Sequence, residues 1–460
     1  MCGETPYYTI KQGIVKIIIA GAGEVGSHLA KMLSYEGHDL TVVDIATASL
    51  KNLQLHLDLL TIEGSVLSLT TLEDAKVGSA DLFVAVTHFQ EMNISSAIMA
   101  KKLGAKQTIA RIKDPDFLRP QNQAMFKELG IDQLVYPQRL AALEIVNFIK
   151  QASTREVFDF ADGQLSLFVI KLDENAPIIN HTLLSAGSMN KDLDFRAVAI
   201  TRNSQTIIPR GHDIFMVGDL LYVVTNKRGI SLLLKYTGKK RLDINNIMIL
   251  GGSRIGRLTA FELENQFNVK LIEMDPVKAT KLAERLYNTL IINGDGRSTD
   301  LLIEEGIRKM DAFIAVTGNS ETNILSCLLA RRLGVKKTIA EVENLDYMDL
   351  AENIGIDTLV NKKIVAASQI YKHTLNAEVS TVKHLTQTEA EVLEFVVKDG
   401  SKITRKPLNQ TDFPKEAFIG GIVRGSEVFI GKGSTTVMAK DRVLVFSMPS
   451  AISSVERFFE

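Results

Sequence analysis

The chain contains little cysteine and no pattern of metal-binding residues. Only two of its 460 residues are cysteines, Cys2 and Cys327, and their separation in sequence argues against a disulfide framework or a zinc site. The eight histidines are scattered, without a metal-ligand spacing such as H-E-x-x-H. This cysteine usage fits a reducing cytosol. Cys327 lies in an apolar helical segment, and we expect it to be a buried core residue.

Long apolar runs and an excess of charge of one sign are also lacking. No apolar run approaches the roughly 18 residues that a membrane span needs, and the polar first residues lack the apolar segment of a signal peptide. The formal net charge is −1, whereas a protein that binds nucleic acid or an anionic membrane usually has a basic excess. We therefore expect no nucleic-acid partner, and a role at a membrane would require a partner protein.

The sequence does contain an internal repeat. Residues 80–110 align with residues 310–340 without a gap and share 16 identities in 31 positions, where unrelated segments would share roughly two. A glycine-rich segment that begins at Lys16 recurs at Asn246, 230 positions later. This similarity indicates gene duplication. The two copies occupy chain length that a separate catalytic domain would need.

The order of apolar segments predicts the fold class. Short apolar strands alternate with helical patterns, which predicts an α/β fold with a doubly wound, Rossmann-like parallel sheet. The segment that follows is punctuated by Pro209-Arg210-Gly211 and Gly218-Asp219, predicts a small α+β domain, and recurs at an offset of 222. The predicted order is two Rossmann-like domains, each followed by a small α+β domain. Their predicted bounds are 14–150, 155–237, 243–375 and 378–460, and residues 1–13 have no assigned role.

The first repeat carries the glycine pattern of a dinucleotide site. Gly21 permits a tight strand-to-helix turn, Gly23 lets a diphosphate reach the amides of the helix N-terminus, and Gly26 lets helix and sheet approach closely. Asp44 ends the second strand 23 residues after Gly21. Its carboxylate can accept hydrogen bonds from ribose hydroxyls and would repel a 2′-phosphate, which favours NAD over NADP. The predicted phosphate turn consists of Gly21, Ala22, Gly23, Glu24, Val25 and Gly26.

Two further residues end strands at the predicted ligand edge of the sheet, and each has two interpretations. Thr87 can contact the ligand or only cap the following helix. Arg111 can place its guanidinium on a phosphate or form a surface ion pair.

The second repeat keeps part of this pattern. Gly251 and Gly256 remain, and Glu273 stands 22 residues after Gly251 as the strand-end acid. Thr317 is the counterpart of the first strand-end threonine, and Asp295 offers a new carboxylate. We predict a second nucleotide site formed by these residues.

Two substitutions separate the second site from the first. Ser253 places a side chain where a pyrophosphate would pass closest to the backbone. Glu341 stands in the place of Arg111 and replaces a possible phosphate partner with a negative charge. We therefore expect the second site to bind more weakly or to take a different ligand.

Residues for catalysis are lacking. A dehydrogenase on this fold needs a further domain with a proton donor, and nothing of domain size remains outside the four predicted domains. Neither a nucleophile elbow nor a P-loop lysine is present. We expect a protein that is not an enzyme. The alternatives are an NAD-dependent oxidoreductase and a structural adaptor with relic pockets.

The segment Leu140–Phe148 has an apolar face on an otherwise polar helix. A long amphipathic helix at the end of a domain usually packs on another element. The sequence makes this helix a candidate for contacts between subunits.

The repeated four-domain order resembles the RCK family over residues 14–460. The resemblance depends on the glycine pattern with Asp44, on Ala85-Val86-Thr87, and on the motifs of the small domains. It implies binding of NAD(H), and of ATP or ADP, in the Rossmann-like domains. It also implies self-association as a homodimer or a homotetrameric gating ring, and a membrane-embedded potassium-translocating Trk subunit as partner. The expected protein is a cytoplasmic regulatory subunit, held at the inner face of the plasma membrane by that partner.

Overall fold

A computed structural model describes residues 15–34, 38–150, 156–160, 164–188, 195–202, 205–226, 242–344, 346–373, 379–384, 390–425, 427–431 and 433–460. Residues 1–13, left unassigned from the sequence, lie outside this described part. The described chain forms two compact units. The first comprises described residues of 1–136, 367–375 and 452–456, and the second those of 137–366, 376–451 and 457–460.

The first unit contains a six-stranded parallel sheet. Its strand order is β3-β2-β1-β4-β5-β6, so the direction of winding reverses beside the central strand β1. Ligands bind at such a switch point, outside the carboxyl ends of the strands. The elements are β1 Lys16–Ala20, α1 Glu24–Ser34, β2 Asp39–Asp44, α2 Thr47–His56, β3 Leu60–Glu63, α3 Leu69–Asp74, β4 Leu82–Ala85, α4 Gln90–Leu103, β5 Gln107–Arg111, α5 Pro120–Glu128 and β6 Gln133–Val135.

Local sequence explains this arrangement. Four of the five residues in β1 are fully buried, as expected of a parallel strand covered by helices on both faces. Val25, Leu29 and Leu33 recur at helical spacing on α1, and all three are buried. The doubly wound sheet predicted from the sequence is confirmed.

A helix and a small antiparallel domain follow in the second unit. The sheet of this domain has the order β10-β9-β11-β8-β7. The elements are α6 Pro137–Lys150, β7 Glu156–Phe160, β8 Leu165–Lys171, α7 Leu183–Ser188, β9 Phe195–Arg202, β10 Gln205–Ile207 and β11 Leu220–Asn226.

The second parallel sheet repeats the first. Its order, β14-β13-β12-β15-β16-β17, is that of the first sheet strand for strand. The elements are β12 Asn246–Leu250, α8 Arg254–Leu263, β13 Asn268–Glu273, α9 Pro276–Ala283, β14 Thr289–Asn293, α10 Thr299–Glu304, β15 Ala312–Ala315, α11 Ser320–Arg332, β16 Lys337–Glu341, α12 Asp346–Asn353, β17 Thr358–Val360 and α13 Lys362–Tyr371.

The last domain repeats the small antiparallel domain, with the order β18-β19-β22-β20-β21. Each small domain contains one buried aspartate that is paired with an arginine at the end of a strand. The Arg202 guanidinium donates to Asp219 at 2.7 and 2.8 Å, and Arg424 donates to Asp441 at 2.8 Å through each of two nitrogens. The elements are β18 Val379–His384, β19 Glu391–Val396, β20 Ala417–Arg424, β21 Glu427–Ile430 and β22 Arg442–Ser447, and α14 Ile452–Glu456, which belongs to the first unit, follows along the chain.

Helix α6 packs within the chain. Its buried residues include Ala141, Ile145 and Val146, and it contacts helix α8 of the second parallel-sheet domain. The expectation that this apolar face makes a contact between subunits is therefore corrected, because the chain's own core already covers it. An amphipathic pattern shows that a helix face is buried, but not which element covers it.

The structure also bears on the environment of Cys327 and on the length of the helices. Cys327 is buried, its thiol lies 3.4 Å from the Ile339 carbonyl oxygen, and burial raises the pKa of that thiol. This confirms Cys327 as a core residue. In the described part of the chain, every helix is too short or too polar to traverse a lipid bilayer.

Candidate functional site: two glycine turns at parallel-sheet edges

The first glycine turn joins β1 to α1 with close backbone packing. Gly21 has a φ of +118°, and its amide donates to the Val43 carbonyl at 2.8 Å. A Cβ on Gly21 would lie 2.9 Å from the Thr87 amide nitrogen, and a Cβ on Gly26 would overlap the carbonyl oxygen of Gly21. Both positions therefore require glycine.

Gly23 differs from its two neighbouring glycines, because a Cβ there would meet no backbone closely. Among the described residues outside the adjoining chain, an added Cβ would come within 4 Å of Nε2 of His88 alone, at 3.5 Å, which is an ordinary van der Waals contact. Among the residues that the structure describes, no side chain accepts a hydrogen bond from the Gly26 amide. The N-terminus of α1, with its positive dipole end and a glycine at position 23, is a favourable position for an anion.

Asp44 links the glycine turn to the next helix. Its Oδ2 accepts a hydrogen bond from the Ala22 amide at 2.5 Å, and its Oδ1 accepts one from the Ala46 amide at 2.8 Å. A carboxylate has about four acceptor positions, so two remain for ribose hydroxyls. The structure thus places Asp44 beside the turn, as the sequence spacing predicts.

Thr87 is held by a buried asparagine that the sequence analysis did not assign. Asn93 Oδ1 accepts hydrogen bonds from the Thr87 amide at 2.8 Å and from the Thr87 hydroxyl at 2.7 Å. The Thr87 hydroxyl oxygen also lies 3.3 Å from the amide of Phe89, the residue before α4. Thr87 therefore supports the loop before α4, which has no side-chain cap, and a contact of Thr87 with the ligand stays a prediction.

The same asparagine reaches the neighbouring strand. Asn93 Nδ2 donates to the Arg111 carbonyl at 2.9 Å, so one amide group joins the ends of β4 and β5. Arg111 is half-buried at that edge. The contact of its guanidinium with a phosphate stays a prediction.

The second glycine turn has the same backbone design. The Gly251 amide donates to the Ile272 carbonyl at 2.9 Å, as Gly21 does to Val43. Glu273 accepts hydrogen bonds from the Gly252 amide and from the Asp275 amide, both at 2.9 Å. Glu273 therefore takes the structural role of Asp44 with a longer side chain.

Ser253 changes the character of the second turn. Its hydroxyl accepts a hydrogen bond from the Gly256 amide at 3.2 Å and caps helix α8. A donor that an anion could use is therefore taken by the chain itself. The first residue of this helix is the exposed Arg254, where the first repeat has Glu24, so the charge beside the turn is reversed.

The threonine–asparagine contact recurs in the second repeat. Asn323 Oδ1 accepts from the Thr317 amide at 2.9 Å and from its hydroxyl at 2.6 Å. Asn323 Nδ2 donates to the Glu341 carbonyl at 2.8 Å. Both strand-end threonines thus have a supporting role in the loop after the central strands.

Glu341 is not an open negative charge in the second site. Lys362 Nζ lies 3.2 Å from its carboxylate and also contacts Glu343. Burial raises the pKa of the Glu341 carboxyl, and Lys362 opposes that rise. Burial also opposes the charge of Lys362, but Glu341 and Glu343 outweigh it and raise the pKa of the ammonium. The substitution of Arg111 by Glu341 is therefore balanced by a lysine from another element.

Asp295 is engaged within its own loop. Arg297 donates to both carboxylate oxygens, with its Nη2 at 2.8 Å from Oδ2. These hydrogen bonds lower the pKa of Asp295. The ligand contact predicted for Asp295 would have to compete with Arg297.

Sequence reasoning missed four residues of these edges: His88, Asn93, Asn323 and Lys362. The identity of Asn93 with Asn323 was visible in the repeat, and so was the difference between His88 and Gly318. Lys362 had no visible signal, because its partner Glu341 lies 21 residues away on another strand.

The fold and the two turns define a tandem protein of Rossmann-like and small antiparallel domains. The TrkA-N domain model matches residues 17–137 and 247–362, and the TrkA-C domain model matches residues 167–238 and 392–460. The chain belongs to this TrkA-N/TrkA-C family. The resemblance drawn from the sequence is thereby confirmed.

Relatives match over nearly the whole chain. The Trk system potassium uptake protein TrkA homolog 1 of Methanosarcina mazei is 33% identical over 459 residues, which cover 97% of this chain and 100% of that protein. The Trk system potassium uptake protein TrkA of Vibrio alginolyticus is 33% identical over 453 residues, which cover 97% of this chain and 99% of that protein.

Solved structures share the fold at low sequence identity. The GsuK channel matches with a TM-score of 0.58 and 17% identity, over 98% of this chain and 79% of that one. The GsuK channel bound to NAD matches with a TM-score of 0.57 and 17% identity, over 99% of this chain and 80% of that one.

Proposed function

We propose that this protein is the regulatory subunit of a potassium-uptake system and that it binds NAD(H) at the first glycine turn. Membership of the TrkA-N/TrkA-C family and the names of its relatives support the connection with potassium uptake. The observation that carries the nucleotide part is the room for a further atom at Gly23, beside the amide-bound Asp44. ATP and ADP, which share the adenosine diphosphate group, are further candidate ligands.

The residues of the first turn fit an adenine dinucleotide. The diphosphate would lie against the amides at the start of α1, with no side chain on Gly23 to exclude it. The ribose hydroxyls would donate to the two free acceptor positions of Asp44. A 2′-phosphate would be repelled there, so NADP is disfavoured.

The second turn is proposed to bind more weakly or to take a different ligand. Ser253 occupies one helix N-terminal donor, and the Asp295 carboxylate is paired with Arg297. Arg254, in the place of Glu24, would favour a ligand with more negative charge.

Regulation requires that the nucleotide bind one conformation better than another. The coupling free energy between two sites is typically about 1–3 kcal/mol. A homotetrameric ring would add the contributions of its subunits and so control a membrane-embedded potassium-translocating Trk subunit. The GsuK channel bound to NAD supports a dinucleotide ligand on this fold.

Calorimetric titration of the full chain with NAD, NADH, ATP and ADP tests the proposal. We expect binding that Asp44→Ala abolishes and that Glu273→Ala, the matched change at the second turn, leaves in place. Asp44→Asn removes the charge but keeps one acceptor oxygen for the turn, so this variant distinguishes loss of the charge from collapse of the turn. Absence of binding for all four nucleotides would support the structural adaptor instead.

Two further measurements address regulation and catalysis. In vesicles that contain the membrane-embedded Trk subunit, NADH should change potassium flux with the wild-type chain but not with Asp44→Ala. We also expect no turnover of NADH over a panel of substrates. Turnover that Asp44→Ala abolishes would support the oxidoreductase.

A further inference from the structure

His88 lies in the loop after β4, at the open side of the first glycine turn. Its side chain is exposed, and its Nε2 is 3.5 Å from the position that a Cβ on Gly23 would occupy. Among the described residues outside the adjoining chain, the imidazole is thus the group nearest to a Cβ on Gly23.

The backbone on both sides of His88 is fixed. The Thr87 amide donates to Asn93 at 2.8 Å, and the Phe89 amide lies 3.3 Å from the Thr87 hydroxyl oxygen. A side chain that starts from a fixed loop loses less conformational freedom when it makes a contact. The imidazole is therefore well placed to act as a ligand contact.

We propose that His88 Nε2 donates a hydrogen bond to the diphosphate of the nucleotide bound at Gly23. This inference rests on the proposed function of the first turn. A phosphate oxygen that approaches the open side of Gly23 comes within hydrogen-bond reach of Nε2. A histidine nitrogen that carries hydrogen donates to an anionic oxygen, whereas the neighbouring Thr87 hydroxyl already donates to Asn93.

The second repeat provides an internal comparison. Gly318 stands where His88 stands, in a loop held by the same threonine–asparagine contact. Nothing lies within 4 Å of a Cβ on Gly318, and its φ is not positive, so a side chain is tolerated there. The first turn thus has a side-chain donor that the second turn lacks.

Calorimetric titration of the full chain with NAD tests this contact through four variants. His88→Gly reproduces the second repeat and should weaken NAD binding about 10- to 100-fold, the effect of one hydrogen bond to a charged group. His88→Gln keeps an N–H donor and should recover part of the affinity. His88→Phe keeps a ring without a donor and should remain weak. Gly318→His should leave the affinity of the first turn unchanged.

Several results would overturn the contact. NAD affinity within about twofold of the wild type in His88→Gly would do so, since a single hydrogen bond is worth more than that. If NAD affinity recovered in His88→Phe but not in His88→Gln, the side chain would act by stacking on the ligand rather than by donating a hydrogen bond. If Gly318→His weakened NAD binding as much as His88→Gly does, the effect of His88→Gly would not be local to the first turn.

The same titrations separate failure of this inference from failure of the proposed function. If the wild type binds NAD and Asp44→Ala does not, but His88→Gly is unchanged, only the His88 contact is wrong. If the wild type does not bind NAD, both are wrong.

Discussion

Asn93 holds Thr87 at the end of strand β4 through both the oxygen and the nitrogen of its side-chain amide. Its Oδ1 accepts from the Thr87 amide at 2.8 Å, and its Nδ2 lies 3.2 Å from the Thr87 carbonyl oxygen. Asn93 is 1% exposed, so water cannot replace these hydrogen bonds. The loop that borders the first glycine turn is therefore held by one buried side chain.

Asn93→Ala should loosen that loop. The substitution removes the hydrogen bonds of Asn93 to the Thr87 amide and to the Arg111 carbonyl, at a cost of about 0.5–1.5 kcal/mol for each hydrogen bond. We expect faster hydrogen exchange at the amides of residues 87–90, measured by mass spectrometry. Asn323→Ala is the matched control and should accelerate exchange at residues 317–320 instead. Unchanged exchange at residues 87–90 in Asn93→Ala would contradict the role of this side chain.

Gly23→Ser should separate folding from binding. A side chain fits at this position, and the hydroxyl can cap helix α1 as Ser253 caps helix α8. We expect an unfolding temperature equal to or above that of the wild type, together with NAD binding at least about tenfold weaker. Calorimetric unfolding measures the unfolding temperature, and calorimetric titration measures the NAD affinity.

Gly26→Ala is the contrasting variant. Its Cβ would overlap the Gly21 carbonyl oxygen, and the backbone cannot yield as a flexible side chain can. We expect a lower unfolding temperature as well as weaker binding. If Gly23→Ser destabilised the protein as much as Gly26→Ala, the open space at Gly23 would be disproved.

Two lysines occupy a backbone conformation that their repeat counterparts fill with glycine. Lys76 and Lys440 have φ values of 54° and 69°, and the matching residues Gly306 and Gly218 have 79° and 88°. Left-handed geometry costs a residue with a Cβ roughly 1–2 kcal/mol, which glycine avoids at a smaller entropic cost. Lys76→Gly and Lys440→Gly should each stabilise the protein by about 0.5 kcal/mol, seen as a higher unfolding temperature.

The reverse substitutions test the same explanation. Nothing lies within 4 Å of a Cβ on Gly306 or Gly218, so backbone strain is the main cost of a side chain there. Gly306→Lys and Gly218→Lys should lower the unfolding temperature. Stabilisation by these two variants would disprove the argument.

Glu341→Gln should change the pH dependence of stability. Burial raises the pKa of Glu341, so its contribution to stability is present at acidic pH and is lost as the pH rises and the carboxyl ionises. The unfolding temperature of the variant relative to that of the wild type should therefore increase between pH 4 and pH 8. Thermal unfolding across this range measures it.

Glu343→Gln is the control of opposite sign. Burial opposes ionisation of Glu343, but Lys362 and Lys363 together outweigh it and lower the pKa, so its stabilisation is present at neutral pH and lost on acidification. This variant should be less stable than the wild type at pH 8. Equal effects of the two substitutions would contradict the assigned pKa directions.

Local patterns were sufficient to predict much of this fold. The spacing of Gly21, Gly26 and Asp44 predicts the strand-turn-helix unit, and the offset of 230 places a second copy at Gly251. The packing of α6 on α8 was not predictable, because an apolar face carries no information about its partner. The same limit applies wherever distant segments meet.

Those residues of the site that follow from local sequence patterns were predictable, and those that depend on contacts between distant residues were not. Asp44 is identified by its position at the end of a strand, which is local information. The functions of Asn93 and Lys362 depend on contacts with Arg111 and Glu341, which lie 18 and 21 residues away. The proximity of His88 to Gly23 is likewise a property of the folded chain.

The stoichiometry of NAD binding tests the central claim most directly. Titration of the full chain should give one site of higher affinity per chain, which Asp44→Ala removes, Gly23→Ser weakens at least about tenfold and Ser253→Gly leaves intact. A wild-type chain that binds no NAD, or that binds it equally well with Asp44→Ala and Gly23→Ser combined, would contradict the account.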